Sequence, residues 1–63
     1  MIYVLTNGSS IAYRLRDLTR EAKRLASNPR DGPDKVAEFP SYGAAEDAAL
    51  LSGLNHRAKP TRG

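Results

Sequence analysis

The chain has 63 residues, of which 40% are hydrophobic and 27% are charged, with a formal net charge of +3 and no cysteine or tryptophan. This length fits one small domain and excludes a separate substrate domain, and the lack of cysteine excludes a disulfide scaffold, an iron–sulfur centre and thiol catalysis. No apolar run approaches the roughly 20 residues that a membrane-spanning helix needs, so we predict a cytoplasmic protein without membrane contact.

The charge is arranged in three blocks along the chain. Residues 14–24 carry five basic and two acidic side chains, residues 25–54 carry two basic and five acidic ones, and residues 55–63 carry three basic ones. A basic, acidic and basic order suits a protein that orients itself on a polyanion or on a charged protein surface. The charge pattern therefore predicts a docking surface.

The N-terminal segment predicts a β-hairpin. Residues 2–6 form a β-branched and aromatic run, and Asn7-Gly8 follows it directly, a pair that favours positive φ at both central turn positions. Residues 11–16 then alternate apolar and polar side chains as a half-buried strand does. One long first helix is the competing interpretation, because the apolar residues of 11–25 also recur at helical spacing.

A helix and a short strand are expected next. Asp17 or Thr19 is a good N-cap for a helix over residues 20–26, and the helix has to stop before Pro29, because proline disfavours helical geometry in the residue that precedes it. Residues 35–39 are typical of a short strand that buries its apolar side chains.

The last predicted element is an alanine-rich helix over residues 42–51. Ser41 is its natural N-cap, and Gly53 fits the position just past its last turn. One face of this helix carries small apolar residues, among them Ala44 and Ala48, and such a face can approach a neighbour closely. It is the basis of one functional alternative, a homodimer joined through this helix.

Together these elements predict a single small α+β domain over residues 1–54. Its expected order is β-β-α-β-α, with β-α-β-α as the alternative if the first helix is long. The polar and basic composition of residues 55–63, with Pro60 and Gly63, predicts a flexible tail.

Few residues are suited to catalysis. His56 is the only imidazole and lies in the predicted tail, and neither a second histidine nor a cysteine is present to share a zinc ion with it. Ser9 and Ser10 have no general base nearby in sequence. Glu46 and Asp47 are adjacent, and adjacent residues of a helix do not face each other. We therefore expect no enzymatic activity, no metal and no cofactor.

The basic cluster is the main candidate for function; its members are Arg14, Arg16, Arg20, Lys23 and Arg24. Arginine matches carboxylates and phosphates with two parallel hydrogen bonds, so the cluster predicts a partner-binding surface. The alternative is a solvated face whose cations pair with Asp17 and Glu21. Tyr42 predicts a separate partner contact, since tyrosine is favoured at interfaces. Further nucleic-acid contacts are expected from Arg57, Lys59 and Arg62.

The stretch from Leu18 to Ser27, after a predicted hairpin, resembles the strand–helix junction of very small phage-encoded inhibitor proteins of the anti-CRISPR type. The resemblance covers about the first 27 residues. It implies a non-enzymatic protein that binds a host nucleoprotein complex and blocks the entry of nucleic acid. The basic positions that match are Arg20, Lys23 and Arg24.

Three functions follow from these observations. The first is a small non-catalytic protein-binding module that docks on a host protein or nucleoprotein complex through its basic face, as a phage or mobile-element inhibitor would. The second is an accessory protein that binds nucleic acid directly, with an affinity that falls steeply as salt rises. The third is a structural subunit that associates with itself.

Overall fold

The computed structural model describes residues 2–54 and the backbone of residues 59–62. Its elements are, in chain order, β1 (Tyr3–Thr6), a 3-10 turn (Leu15–Asp17), α1 (Arg20–Lys23), β2 (Glu38–Phe39), α2 (Tyr42–Leu51) and β3 (Lys59–Arg62). The predicted class, a small α+β domain, is confirmed.

The sheet has three strands in the order β2-β1-β3, with both outer strands antiparallel to β1. The free edge of β2 is covered by the chain itself. The backbone N–H of Ser27 donates to the Glu38 carbonyl at 2.7 Å, and the N–H of Glu38 donates to the Asn28 side-chain oxygen at 3.0 Å. An edge covered in this way does not offer its backbone to another chain.

The chain turns back after β1 without forming the second strand that the alternation over residues 11–16 predicts. The N–H of Tyr13 donates to the Leu5 carbonyl at 2.9 Å, but residues 11–14 contribute only isolated bridges, Thr6 with Ala12 and Arg14 with Val36. The segment therefore pairs first with β1, through Ala12, and then, through Arg14, with the loop before β2, which comprises residues 27–37. A long first helix is not formed either, because residues 15–17 are a 3-10 turn.

The turn itself also differs from the one that Asn7-Gly8 predicts. Positive φ is found at Ser10 (66°) and at neither residue of the Asn-Gly pair. The Asn7 side-chain oxygen accepts the N–H groups of Ser9 at 2.8 Å and of Ile11 at 3.1 Å. A side chain that bonds the backbone two residues ahead forms an Asx turn, and here it replaces the tight two-residue hairpin turn.

Helix α1 begins where the sequence predicts and ends earlier. The Thr19 hydroxyl accepts the Ala22 N–H at 3.3 Å, so Thr19, of the two predicted candidates, is the N-cap. The helix stops at Lys23, and the N–H groups of Leu25 and Ala26 bond three residues back. This tighter 3-10 type of turn is a common way for a helix to end.

Helix α2 has the predicted bounds and caps. The Ser41 hydroxyl accepts the Ala44 N–H at 3.2 Å, and Gly53 follows the helix with a φ of +64°. The N–H groups of Gly53 and Leu54 donate back to the Leu50 and Ala49 carbonyls, the pattern of a Schellman motif. The C-terminal carbonyls are thereby satisfied without a basic residue in the last turn.

The core is built from three large side chains and several alanines. Leu5, Leu15 and Phe39 are the largest fully buried residues. Around them lie the buried alanines Ala22, Ala26, Ala37, Ala45 and Ala48. Since alanine leaves little distance between backbones, α2 lies close to the sheet and α1 packs against α2.

Part of the predicted tail belongs to the sheet. All four residues of β3, Lys59–Arg62, lie opposite residues of β1, whereas the sequence predicts a flexible chain there. A pairing between segments more than 50 residues apart leaves no local pattern from which it can be predicted, and Pro60 within the run argues against a strand. The rest of the predicted tail, residues 55–58 and 63, lies outside the described residues.

Candidate functional site

Arg14 and Arg16, which we call the held arginines, are engaged within the protein. The Arg14 guanidinium donates to the main-chain carbonyl of Asp34, and Arg16 Nη1 lies 2.9 Å from Asp34 Oδ1. The two side chains of this ion pair are 61% and 80% exposed, so the pair contributes no more than about 1 kcal/mol to stability. The bond from Arg14 and the ion pair of Arg16 together direct both cations toward the loop before β2.

Asn28 lies in that loop and holds it in place through side-chain hydrogen bonds. Its Nδ2 donates to the Val36 carbonyl at 3.0 Å and to Asp31 Oδ2 at 3.2 Å, while its Oδ1 accepts the Glu38 N–H at 3.0 Å. The loop and Arg14 line an open cleft of about 670 Å³. Sequence reasoning identified only a turn-rich loop here, and the one available signal was the presence of Asp31 and Asp34 in a loop that follows an arginine-rich segment.

Arg20, Lys23 and Arg24, which we call the α1 cations, lie on the short helix and at its C-cap, which is Arg24. Arg20 and Arg24 are exposed and Lys23 is half-buried. The pairing of these cations with Asp17 or Glu21, the alternative left open above, is not observed, and the ion pair of Arg16 is the only one within the described part of the chain. Asp17 is used elsewhere, since its carboxylate accepts the Arg14 N–H at 2.8 Å.

Helix α1 is fixed to the end of α2. The N–H of Thr19 donates to the Ser52 hydroxyl at 3.1 Å, and the Thr19 hydroxyl bonds the Leu51 carbonyl at 3.3 Å. Ala22 is fully buried on the inner side of α1. The α1 cations therefore project from a helix that is held at its N-terminus and on its inner side.

An exposed apolar groove lies between α2 and the turn that follows α1. The leucine groove is lined by Leu25, Asp47, Leu50 and Leu51 and has a volume of about 390 Å³. Leu50 and Leu51 are 64% and 51% exposed. Sequence reasoning missed this groove, although two adjacent leucines, Leu50 and Leu51, in the last turn of α2 are a signal for it.

The alanine face of α2 is not a free contact surface. Ala45 and Ala48 are fully buried in the protein's own core, and Ala44 is partly buried against it. The alanines of this face are therefore covered by the protein's own core, and the predicted self-association through this helix stays a prediction.

Tyr42 is tied to the domain at the start of α2. Its ring packs edge-on against Tyr3, with centroids 6.3 Å apart and planes at 85°, a preferred aromatic geometry. A side-chain hydrogen bond to Glu46, together with that carboxylate's negative charge, raises the pKa of Tyr42 above 10.0. The residue is exposed, yet its ring and hydroxyl both have partners.

The remaining candidate residues that the structure describes lie on separate elements. Ser9 and Ser10 lie in the turn after β1, and Glu46 bonds Tyr42 while Asp47 lines the leucine groove. Among the residues that the structure describes, no group of three or more histidine, cysteine or acidic side chains is placed to hold a metal ion. His56 and Arg57 lie outside these residues, and Lys59 and Arg62 are the end residues of β3.

Within the same described residues, no helix is long and apolar enough to cross a membrane.

Comparison with protein-family models found no match, and no curated protein and no solved structure matches the chain either. The resemblance of the first 27 residues to anti-CRISPR inhibitors therefore stays a prediction.

Proposed function

We propose that the chain is a non-catalytic protein-binding module, and that its docking surface combines the leucine groove with the α1 cations. The observation that carries the proposal is the junction of these two features in one short segment. Arg24, which is exposed, immediately precedes Leu25, which lines the groove. An apolar centre bordered by arginine is the composition that distinguishes the core of a protein interface from ordinary surface.

The position of α1 supports this assignment energetically. Binding loses affinity when flexible groups have to be ordered. The backbone of α1 is already held by Thr19 and by buried Ala22, so only the ends of the cationic side chains remain to be ordered. A complementary partner presents an apolar side chain to the groove and carboxylates to Arg20 and Arg24.

The partner that we propose is a protein of a host nucleoprotein complex in the cytoplasm. This part of the proposal rests on the resemblance to phage-encoded inhibitors and on the charge pattern. The α1 cations coincide with the positions that match those inhibitors, and among the described residues they have no ion pair, whereas Arg14 and Arg16 bind Asp34. Occupation of a nucleic-acid-binding surface by such a module would block nucleic-acid entry.

Charge reversal tests the cationic half of the surface. The immobilised protein is used to capture partners from nuclease-treated host lysate; captured proteins are identified by mass spectrometry and titrated in purified form. R20E/R24E is expected to weaken binding by more than about a hundredfold, because like charges across an interface cost several kcal/mol. The matched control R30E/K35E changes the charge equally at side chains outside the surface and should bind normally.

Two results would reject the proposal. One is unchanged affinity of R20E/R24E for the purified partner while its unfolding curve matches that of the unmodified chain. The other is unchanged affinity of L50S/L51S, in which the two exposed leucines of the groove are removed.

Direct nucleic-acid binding is the second candidate function. It is favoured by β3, whose pairing with β1 brings Lys59 and Arg62 into the folded domain. In this case the protein should shift duplex or single-stranded nucleic acid in a gel. Its affinity for the nucleic acid should fall steeply as the salt concentration rises. No shift at low salt would exclude it, and a shift abolished by R20E/R24E would favour it over the protein-binding proposal.

A further inference from the structure

The turn after β1 holds the carbonyl oxygen of one side-chain amide, that of Asn7, in two hydrogen bonds. Asn7 Oδ1 accepts two N–H donors, from Ser9 at 2.8 Å and from Ile11 at 3.1 Å. Among the described residues, neither the Asn7 Nδ2 nor the Gly8 N–H has a hydrogen-bond partner. The carbonyl oxygen is therefore engaged, while the adjacent leaving group and the neighbouring nitrogen have no partner in the described part of the chain.

We propose that Asn7 is a site of spontaneous covalent modification, at which the turn promotes its own conversion to aspartate and isoaspartate. After solvent base removes its proton, the Gly8 nitrogen attacks Asn7 Cγ, and a bond forms between them as the carbonyl electron pair moves to Oδ1. The intermediate then collapses, the bond from Cγ to Nδ2 breaks, and Nδ2 takes up a proton from water and leaves as ammonia. The product is a five-membered cyclic imide.

Water completes the conversion. Addition of water at Cγ breaks its bond to the Gly8 nitrogen and yields aspartate in the normal backbone. Addition at the Asn7 main-chain carbonyl carbon yields isoaspartate, in which the chain runs through Cγ. Both products carry one more negative charge than asparagine at neutral pH.

The fold contributes the two N–H groups, of Ser9 and Ile11, that donate to Asn7 Oδ1. In the attack, negative charge develops on that oxygen, and two backbone N–H groups already point at it in the manner of an oxyanion hole. Gly8 contributes a nitrogen that no Cβ shields from the Asn7 side chain. In the unfolded chain the same pair of residues is present without the fixed donors, so folding is expected to accelerate the step.

The two products have different consequences for the turn. A carboxylate at Asn7 still accepts from Ser9 and Ile11, and a charged acceptor strengthens both bonds. Isoaspartate adds a backbone carbon and displaces the carbonyl that accepts the Ser10 N–H at 3.0 Å. The first route preserves the turn and the second disrupts it.

The test compares the rate of this conversion in the folded and the unfolded chain. The purified 63-residue chain is incubated at neutral pH in buffer and in guanidinium chloride, and aspartate and isoaspartate are measured by peptide mass spectrometry. We expect conversion at Asn7 about tenfold faster in the folded chain, below the factor of 10²–10³ per donor found in enclosed active sites because this turn is exposed. An equal or lower rate in the folded chain, or no conversion in either state, would overturn the proposal.

The chain provides two controls for the chemical route. Asn28 precedes Pro29, whose nitrogen has no proton to lose, so Asn28 should remain unconverted. G8A shields the attacking nitrogen, and the added Cβ meets nothing within 4 Å, so the variant should fold. G8A is expected to suppress conversion in both states, and conversion at an unchanged rate would show that water attacks the amide directly and would contradict the proposed route.

Discussion

The two halves of the basic cluster have different roles in the structure. Arg14 and Arg16 bind Asp34 and the loop before β2, whereas the α1 cations have no ion pair among the described residues. The difference arises from what the fold places opposite each group, Asp34 in the first case and no ion-pairing carboxylate among the described residues in the second. Charge density along a sequence therefore identifies a candidate surface, and the fold determines which of its cations remain available to a partner.

The largest effect is expected from the residue that keeps the loop in place for the held arginines. N28A removes the side-chain bonds to the Val36 carbonyl and the Glu38 N–H, both partly buried, and should lower the free energy of unfolding by about 2–3 kcal/mol. Urea denaturation measures the change. R30A, an exposed neighbour in the same loop, is the control and should stay within about 0.5 kcal/mol of the unmodified chain. A comparable loss in R30A would contradict the anchoring role of Asn28.

A smaller effect is expected from the residue that fixes α1. T19A removes the N-cap bond to Ala22 and the contact with the Leu51 carbonyl, and should cost about 1 kcal/mol. T19S keeps the hydroxyl and should recover most of the loss in the same denaturation experiment. If T19S were as unstable as T19A, the methyl group and not the cap would be responsible.

Double-mutant cycles compare the two groups of cations directly. The cycle of R16Q with D34N should give a coupling of about 0.5 kcal/mol, as expected for an exposed ion pair. The cycle of R24Q with E21Q should give a coupling near zero, because the two side chains form no ion pair. Equal couplings in the two cycles would remove the distinction between the groups.

The smallest effect concerns Tyr42, the other predicted contact, whose ring and hydroxyl are both engaged. The hydrogen bond to Glu46 raises the pKa of Tyr42 in the folded protein, so its stabilising contribution is present below the unfolded tyrosine pKa of about 10 and is lost as pH rises through the folded value. E46Q should bring the pKa back toward 10.0, as measured by phenolate absorbance with Y42F as the reference. An unchanged titration in E46Q would contradict the bond.

Sequence reasoning succeeded where the determining signal is local. Ser41 and Gly53 bound α2, and Thr19 starts α1, because caps are set by side chains within a few residues of the backbone groups that they satisfy. The fold class followed from these elements, and the basic cluster was located from charge alone.

Sequence reasoning failed where contacts between distant segments of the chain determine the structure. The alternation over residues 11–16 predicts a strand, but Ile11 is 63% exposed and the segment pairs first with β1 and then with the loop before β2. The bonds from Arg14 and Arg16 to Asp34 span about twenty residues of sequence, and β3 joins the sheet from the far end of the chain. Neither contact has a local signature.

The central claim is that one group of arginines supports the fold and the other serves a partner. The most direct test measures stability and partner affinity on two variants of equal charge, R14Q/R16Q and R20Q/R24Q. We predict that R14Q/R16Q loses about 1–2 kcal/mol of unfolding free energy and keeps its affinity once folded, whereas R20Q/R24Q keeps its stability and loses affinity. The reverse pattern, or equal effects of the two variants on affinity, would contradict the claim.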